Sequence, residues 1–296
     1  MRIEDGIKLD FKDVMLKPKR SELNSRADVD LHRTFTFKYG GKWDGIPIIA
    51  ANMDTVGTCS MSSALGQFSM MTALDKNILT DTLMHHLDKS PTCQKNAFIT
   101  IGTSNADRAK LNTITWGRDC CNFMICLDVA NGYHEKFVER LVQLRTAYPT
   151  AIIMAGNVCT SEQTEQLIIS GADIVKVGIA SGSACLTRNM TGIYMPQMSA
   201  ISECADAAHG LGAHICSDGG CREPGDISKA FAGGADFVML GMILAGHDEC
   251  EGEIITKVEP LLPKTCCSVL PESDYQYSYS VDLATPVMKF YGMSSK

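Results

Sequence analysis

Short apolar runs alternate with longer segments of helical period along most of this chain. The runs Ile46–Met53, Met70–Leu74, Ala97–Ile101, Phe123–Val129, Ile152–Val158, Ile174–Ile179, His214–Ser217 and Phe237–Leu240 mostly end in a polar or glycine loop. Continuous apolar character predicts strands covered on both faces, because a half-exposed strand would alternate. Between them, Met61–Phe68, Thr80–Leu87, Ala106–Thr115, Glu135–Ala147, Ser161–Ser170, Met198–Leu211 and Gly225–Ala232 repeat apolar positions every three to four residues and predict helices. Strands alternating with helices indicate a parallel sheet, and eight of them favour closure into a (β/α)8 TIM barrel over an open, doubly wound sheet.

Two stretches depart from that rhythm. Lys8–Arg33 is charged; alternation around Phe11, Val14 and Leu16 predicts an extended piece, and Pro18 among basic residues a surface turn. Glu253–Met288 carries Pro260, Pro263, Pro271, Pro286 and the run Y-Q-Y-S-Y-S, and reads as loop or ribbon. The expectation is one domain over 1–296, with barrel strands from about 46 to 241 and an irregular insertion at 253–289.

Composition narrows the class. A chain of 296 residues, 45% hydrophobic, can build the core of a barrel that ordinarily takes about 250 residues. Its net charge of −7, without a long basic run, argues against nucleic acid as a partner. Thirteen cysteines, adjacent at Cys120-Cys121 and Cys266-Cys267 and nowhere in C-x-x-C spacing, fit reduced thiols better than a disulfide framework or a zinc site. The N-terminus lacks an apolar signal core, and no run of about 18 apolar residues occurs, so a cytoplasmic protein without a membrane partner is expected.

Barrel closure gathers the strand-end residues Asp54, Lys76, Asp128, Asn157, Cys185, Asp218 and Gly241 around one mouth, the face where barrel enzymes work. Taken singly, each is ordinary: an Asp or Asn after a strand is usually a cap or turn residue. The densest stretch is Ile174–Arg188, where an apolar run breaks into small residues around one thiol, Cys185, with Thr187 and Arg188 behind it. Small residues let backbone N–H groups approach a ligand, and such groups with an Arg raise a thiolate fraction, which makes Cys185 a candidate nucleophile. A buried structural cysteine is the alternative. Ser217-Asp218-Gly219-Gly220 and Leu240-Gly241-Met242 end the last two strands, where barrels often bind phosphate; tight turns are the plainer reading. Asp218 suits ribose hydroxyls, so a nucleoside monophosphate would lay its base over Cys185.

Several long motifs then stand in order: L-D-F-K-D-V-M-L-K-P-K-R-S, P-I-I-A-A-N-M-D-T-V-G-T, L-D-V-A-N-G-Y, A-G-N-V, G-A-D-I-V-K-V-G-I, E-C-A-D-A-A-H-G-L, S-D-G-G-C and G-A-D-F-V-M-L-G. Together they resemble the IMP dehydrogenase/GMP reductase family, and within it the reductase branch. The resemblance runs from the first residues to about Gly252 and returns at Phe290–Ser295.

It implies reductive deamination of GMP by NADPH to IMP and ammonia. Cys185 would attack C2 of the purine to form a covalent intermediate, and Thr187 would assist proton transfer to the departing amine. By matched motif, Ser183, Asp218, Gly219, Gly220, Gly241 and Met242 would hold the nucleotide, joined by Gly292, Met293 and Ser294. Ser25, Arg26, Lys76, Asp128, Val129, Ala130, Ile179 and Ala180 would face the dinucleotide. Ala180, Gly182, Cys185 and Arg188 would surround a monovalent cation, potassium, and a homotetramer would be expected.

The departures from the family pattern are as informative. Ala180 replaces a glycine in a loop that reads A-S-G-S-A-C-L-T-R rather than G-P-G-S-x-C-T-T-R, which implies a weakened cation site. Met242 replaces a second glycine and implies lower nucleotide affinity; Asp75 precedes Lys76 where the family has His. After F-Y-G-M-S-S the family continues into a flap with a catalytic Glu and the last barrel helix; neither is matched before Lys296, which implies turnover slowed by about 10²–10⁴-fold. Three readings follow: a GMP reductase; an impaired nucleotide-binding homologue acting through oligomer contacts; and an IMP dehydrogenase. The last is disfavoured because only Thr80–Asn96 stands where that enzyme usually carries inserted modules.

Overall fold

The computed structural model describes residues 6–89, 91–118, 123–182 and 185–252, together with the backbone of 254–259 and 283–288. Eight parallel strands close a barrel: β3 (Ile48–Ala50), β4 (Met71–Leu74), β5 (Ala97–Ile101), β6 (Met124–Asp128), β7 (Ile152–Val158), β8 (Ile174–Val177), β9 (His214–Asp218) and β10 (Phe237–Leu240), with β10 pairing back onto β3. The helices between them are α1 (Cys59–Gly66), α2 (Thr80–Lys89), α3 (Pro91–Lys95), α4 (Asn105–Thr115), α5 (Glu135–Ala147), α6 (Ser161–Ile169), α7 (Thr187–Thr191), α8 (Gln197–Gly210) and α9 (Pro224–Ala232). The (β/α)8 expectation holds among the described residues, and three strands match their apolar runs end to end.

Local chemistry sets the helix starts. Thr58 accepts from the Met61 N–H at 2.9 Å ahead of α1, Ser104 from the Asp107 N–H at 3.1 Å ahead of α4, and Pro224 opens α9 where its missing N–H costs nothing.

A paired device locks the strand entries. Asp173 precedes β8; its Oδ2 accepts the Ile153 N–H of β7 at 2.9 Å and Arg145 from α5 at 2.5 Å, and its Oδ1 accepts the Tyr39 N–H at 3.1 Å. In the second copy of the G-A-D motif, Asp236 precedes β10 and accepts the Ile215 N–H of β9 at 2.9 Å, with His209 at 2.8 Å.

Side chains alternate along each strand, so one set packs under the helices and the other fills the barrel. Ile49, Met71, Phe98, Met124, Met154, Ile174 and Phe237 occupy the interior. Its lower end is stoppered by an antiparallel hairpin, β1 (Arg33–Thr36) and β2 (Lys42–Gly45), which the apolar pattern does not predict. Phe35 packs on Phe237 with centroids 4.3 Å apart, and the buried Trp43 donates to Asn96 at 3.0 Å.

The N-terminal segment corrects a second expectation. Phe11–Asp13 is a single 3-10 turn rather than an extended piece, because the Asp13 carboxylate accepts the Asp10 N–H at 2.9 Å and folds the chain around a buried Phe11. Residues Gly252–Phe290 form a compact unit of their own, in which β11 (Ile254–Glu259) and β12 (Leu283–Met288) pair antiparallel. Among the described residues, no helix is long and apolar enough to cross a membrane.

Candidate active site

The loop after β8 is built by close approach to the loop after β9. Gly178 has φ +148°, and a Cβ there would lie 2.1 Å from the Asp218 carbonyl oxygen. Ser181 donates to that same carbonyl at 2.7 Å. Gly219 completes the junction: at φ +87° its α-carbon faces Ser181 so closely that a Cβ would stand 2.6 Å from Oγ. Gln197, the first residue of α8, donates from beneath to the Val177 carbonyl at 2.9 Å and to Ser217 Oγ at 3.3 Å.

Cys185 sits half-buried on this platform. Its N–H donates to the Gly182 carbonyl at 3.1 Å, and its thiol lies 3.3 Å from Thr187 Oγ1 at the start of α7. Arg188 is turned away to the ring of Tyr194, 4.5 Å from guanidinium carbon to centroid. Burial and then a hydrogen bond to Asp10 raise the Tyr194 phenol well above its usual range, so it stays a neutral donor. The opening motif acts here as a strap: Asp10 bonds Tyr194 and, at 3.1 Å, the Gln197 N–H, while Lys229 reaches the Phe11 carbonyl at 2.9 Å.

Below the mouth lies a buried polar floor. Lys176, in the middle of the apolar β8, is 0% exposed; its ammonium pairs with Asp128, stands 3.1 Å from Asp218 Oδ2 and 3.3 Å from Asn52 Oδ1. Burial works against that charge, but Asp128 and then Asp218 outweigh it and raise the Lys176 pKa well above the ordinary lysine value. Asn157 donates one amide to Asp218 Oδ2 at 2.8 Å and to the Gly178 carbonyl at 2.7 Å. Asp128 is thus turned inward onto Lys176, while Val129 and Ala130 follow it at the rim.

The remaining expected residues are placed as follows. Gly220 lies over the Phe11 ring, and Gly241 opens a turn by accepting the Ala245 N–H at 3.0 Å. Met242 is half-exposed, Ile179 half-buried and Lys76 exposed, with the Lys76 carbonyl taken by Lys110 at 2.6 Å. Ser25 caps a 3-10 turn, accepting the Ala27 N–H at 3.2 Å, and Arg26 is exposed beside it. Ser183, Gly292, Met293 and Ser294 lie outside the described residues.

Two other thiols lie deeper. Cys126 and Cys216 are sealed in the barrel interior, where burial pushes the Cys126 thiol up to about 12 and Cys216 well above its usual value. Among the described residues, no cluster of His, Cys, Asp or Glu can hold a metal ion; a cation here would rely on main-chain carbonyls. Ala180 has φ +59°, so it adopts the left-handed turn that a glycine takes readily, and its Cβ does not block that turn.

The model for the IMP dehydrogenase / GMP reductase domain matches residues 8–260. The chain belongs to the IMP dehydrogenase/GMP reductase family. Curated family members named GMP reductase, from Yersinia pestis (strain Pestoides F) and Yersinia pseudotuberculosis serotype O:1b (strain IP 31758), are each 55% identical over 257 residues, covering 86% of this chain and 74% of the relative. A solved structure, inosine 5'-monophosphate dehydrogenase from Legionella pneumophila, superposes with a TM-score of 0.74 at 28% identity, covering 96% of this chain and 87% of that one.

Sequence reasoning singled out neither Lys176, Ser181 nor Gln197 as site residues. Lys176 carried a usable signal: a lysine inside an apolar strand must meet carboxylates, since an unpaired buried ammonium is too costly.

Proposed function

We propose that this chain is a GMP reductase that converts GMP and NADPH, with two protons, to IMP, ammonium and NADP⁺. The reading rests on one arrangement: a half-buried thiol, Cys185, 3.3 Å from the Thr187 hydroxyl, on a loop bonded directly to the Asp218-Gly219-Gly220 turn. Membership of the family and kinship to proteins named GMP reductase support the same substrate.

Asp218 would accept the ribose hydroxyls, and the N–H groups of Gly219, Gly220 and Gly241 would take the phosphate, with Met242 and Ser183 alongside. The Cys185 thiolate adds to C2 of the purine. Thr187 relays a proton to the exocyclic amine, the C2–N bond breaks, and ammonia leaves. Bound NADPH supplies a hydride to C2. The C2–S bond then breaks, returning the thiolate and freeing IMP.

Lys76 fits the dinucleotide phosphates through its exposed ammonium, and Val129, Ala130, Ile179 and Ala180 would line the nicotinamide side, with Ser25 and Arg26 further out. A potassium ion on the carbonyls of Ala180, Gly182 and Cys185, near Arg188, would stiffen the catalytic loop, and a homotetramer would carry the activity. One feature favours weak rather than efficient turnover: the half-exposed Met242 on the phosphate turn.

The test is a coupled assay with GMP and NADPH in potassium buffer, following reduced-nicotinamide absorbance and IMP formation, with Cys185→Ala as control. Turnover lost in the variant is the expected result. GMP binding without turnover would instead favour the impaired homologue, and reduction of NAD⁺ by IMP would favour the dehydrogenase.

A further inference from the structure

Lys176 has no role in the chemistry above, yet it is the group on which both acidic residues of the site converge. Its side chain is fully enclosed, that of Asp128 is 2% exposed and that of Asp218 is 20% exposed. One ammonium therefore faces two carboxylates, one sealed beneath it and one open to the mouth. Stability alone does not require this arrangement, since a buried ion pair is often no better than apolar packing of equal volume. Lys176 pairs in register with Gly156 on β7 and with the buried Cys216 on β9, so apart from its two carboxylates and Asn52 it has uncharged neighbours that an apolar side chain would suit.

What the lysine does is directional. Lys176, at 3.1 Å, and Asn157, at 2.8 Å, both engage the same oxygen of Asp218, Oδ2. Asn157 is itself anchored to the Gly178 carbonyl at 2.7 Å, and Lys176 to Asn52 at 3.3 Å, so neither donor can follow Asp218 if it swings. We propose that Lys176 is a positioning residue for the nucleotide, pinning Oδ2 of Asp218 so that Oδ1 stays presented to the ribose hydroxyls. The inference rests on the GMP reading given above. Without the lysine, Asp218 turns between both oxygens and loses its preference for a ligand with two vicinal hydroxyls.

The experiment measures equilibrium binding of GMP and of its 2'-deoxy analogue to wild type, Lys176→Met and Asp218→Asn. Wild type is expected to favour GMP by about tenfold or more, the range of a hydrogen bond to a charged acceptor. Lys176→Met is expected to shrink that ratio toward the value in Asp218→Asn, to about threefold or less, a change that loosened packing alone would not make. Because Lys176→Met leaves Asp128 buried and unpaired, Lys176→Met/Asp128→Asn is measured beside it and should show the same lost discrimination. An undiminished ratio in either folded variant overturns the inference and spares the GMP reading. Wild type that binds no GMP overturns the reading and the inference with it. Failure of both variants to fold would make the cluster purely structural, and would overturn the inference alone.

Discussion

Ser181 Oγ donates to the main-chain carbonyl of Asp218 at 2.7 Å, joining the loop that carries the Cys185 thiol to the turn that follows β9. Because the bond runs to main chain, it fixes the spacing of the two loops rather than the charge of either. Ser181→Ala should therefore lower kcat/KM for GMP by about two- to tenfold, the worth of one hydrogen bond, while the urea midpoint of unfolding moves little. Steady-state kinetics with matched denaturation curves check this, and unchanged kcat/KM would sink it.

Ala180 and Ser69 are, among the described residues, the non-glycine positions with positive φ. A left-handed conformation costs an L-residue about 1–2 kcal/mol, while glycine loses about 0.5–1 kcal/mol more chain entropy on folding. Ala180→Gly should thus be neutral or stabilising by up to about 1 kcal/mol in urea unfolding. A loss of more than that would show that the Ala180 methyl makes a packing contribution larger than its strain.

The lower end of the barrel has its own pH dependence. Burial opposes the charge on His214, but its bond to Asp236 outweighs that, so its folded pKa lies above the ordinary 6.5. Burial likewise opposes ionisation of Asp236, but His214, the Ile215 N–H and His209 overcome it and hold the carboxyl below 3.8. The histidine contribution is complete below pH 6.5 and fades as pH rises through the higher folded value; the aspartate contribution is complete above pH 3.8 and fades on acidification through the lower one. Urea midpoints should therefore be higher at pH 5.5 than at pH 8.5, and His214→Phe, which keeps a ring against Phe35 and Phe37, should reduce that step.

Trp43 seals the same end, buried against Phe35 and Phe237. Trp43→Ala should cost about 3–5 kcal/mol of unfolding free energy. Kinetics at low temperature, where the variant stays folded, should change far less than in Ser181→Ala; a comparable loss would show that the two ends of the barrel are coupled.

The barrel was legible because its strands are covered on both faces and so write themselves as unbroken apolar runs, as at Ala97–Ile101 and Phe237–Leu240. The β1–β2 hairpin was not, because its large apolar side chains turning inward are only Phe35, Phe37 and Trp43, set among mostly polar, exposed residues. At the mouth, the strand-end rule pointed to Cys185, Asn157 and Asp218, residues that advertise chemistry by type and place. It passed over Ser181 and Gln197, whose work is to bond main chain across loops that are 37 and 20 residues apart in sequence, a relation that exists only once the barrel has closed. Asp10 was hidden likewise: its charged neighbours mark a solvated segment, yet its carboxylate meets Tyr194 and Gln197.

That last contact makes the start of the chain a remote control on its centre. Leu9 and Ser199 exchange main-chain and hydroxyl bonds, and Asp10 holds the loop that runs from the thiol into α8. Anything fused or cut close to Lys8 would pull on the same tether, so an affinity tag intended as a passive handle belongs elsewhere on this protein.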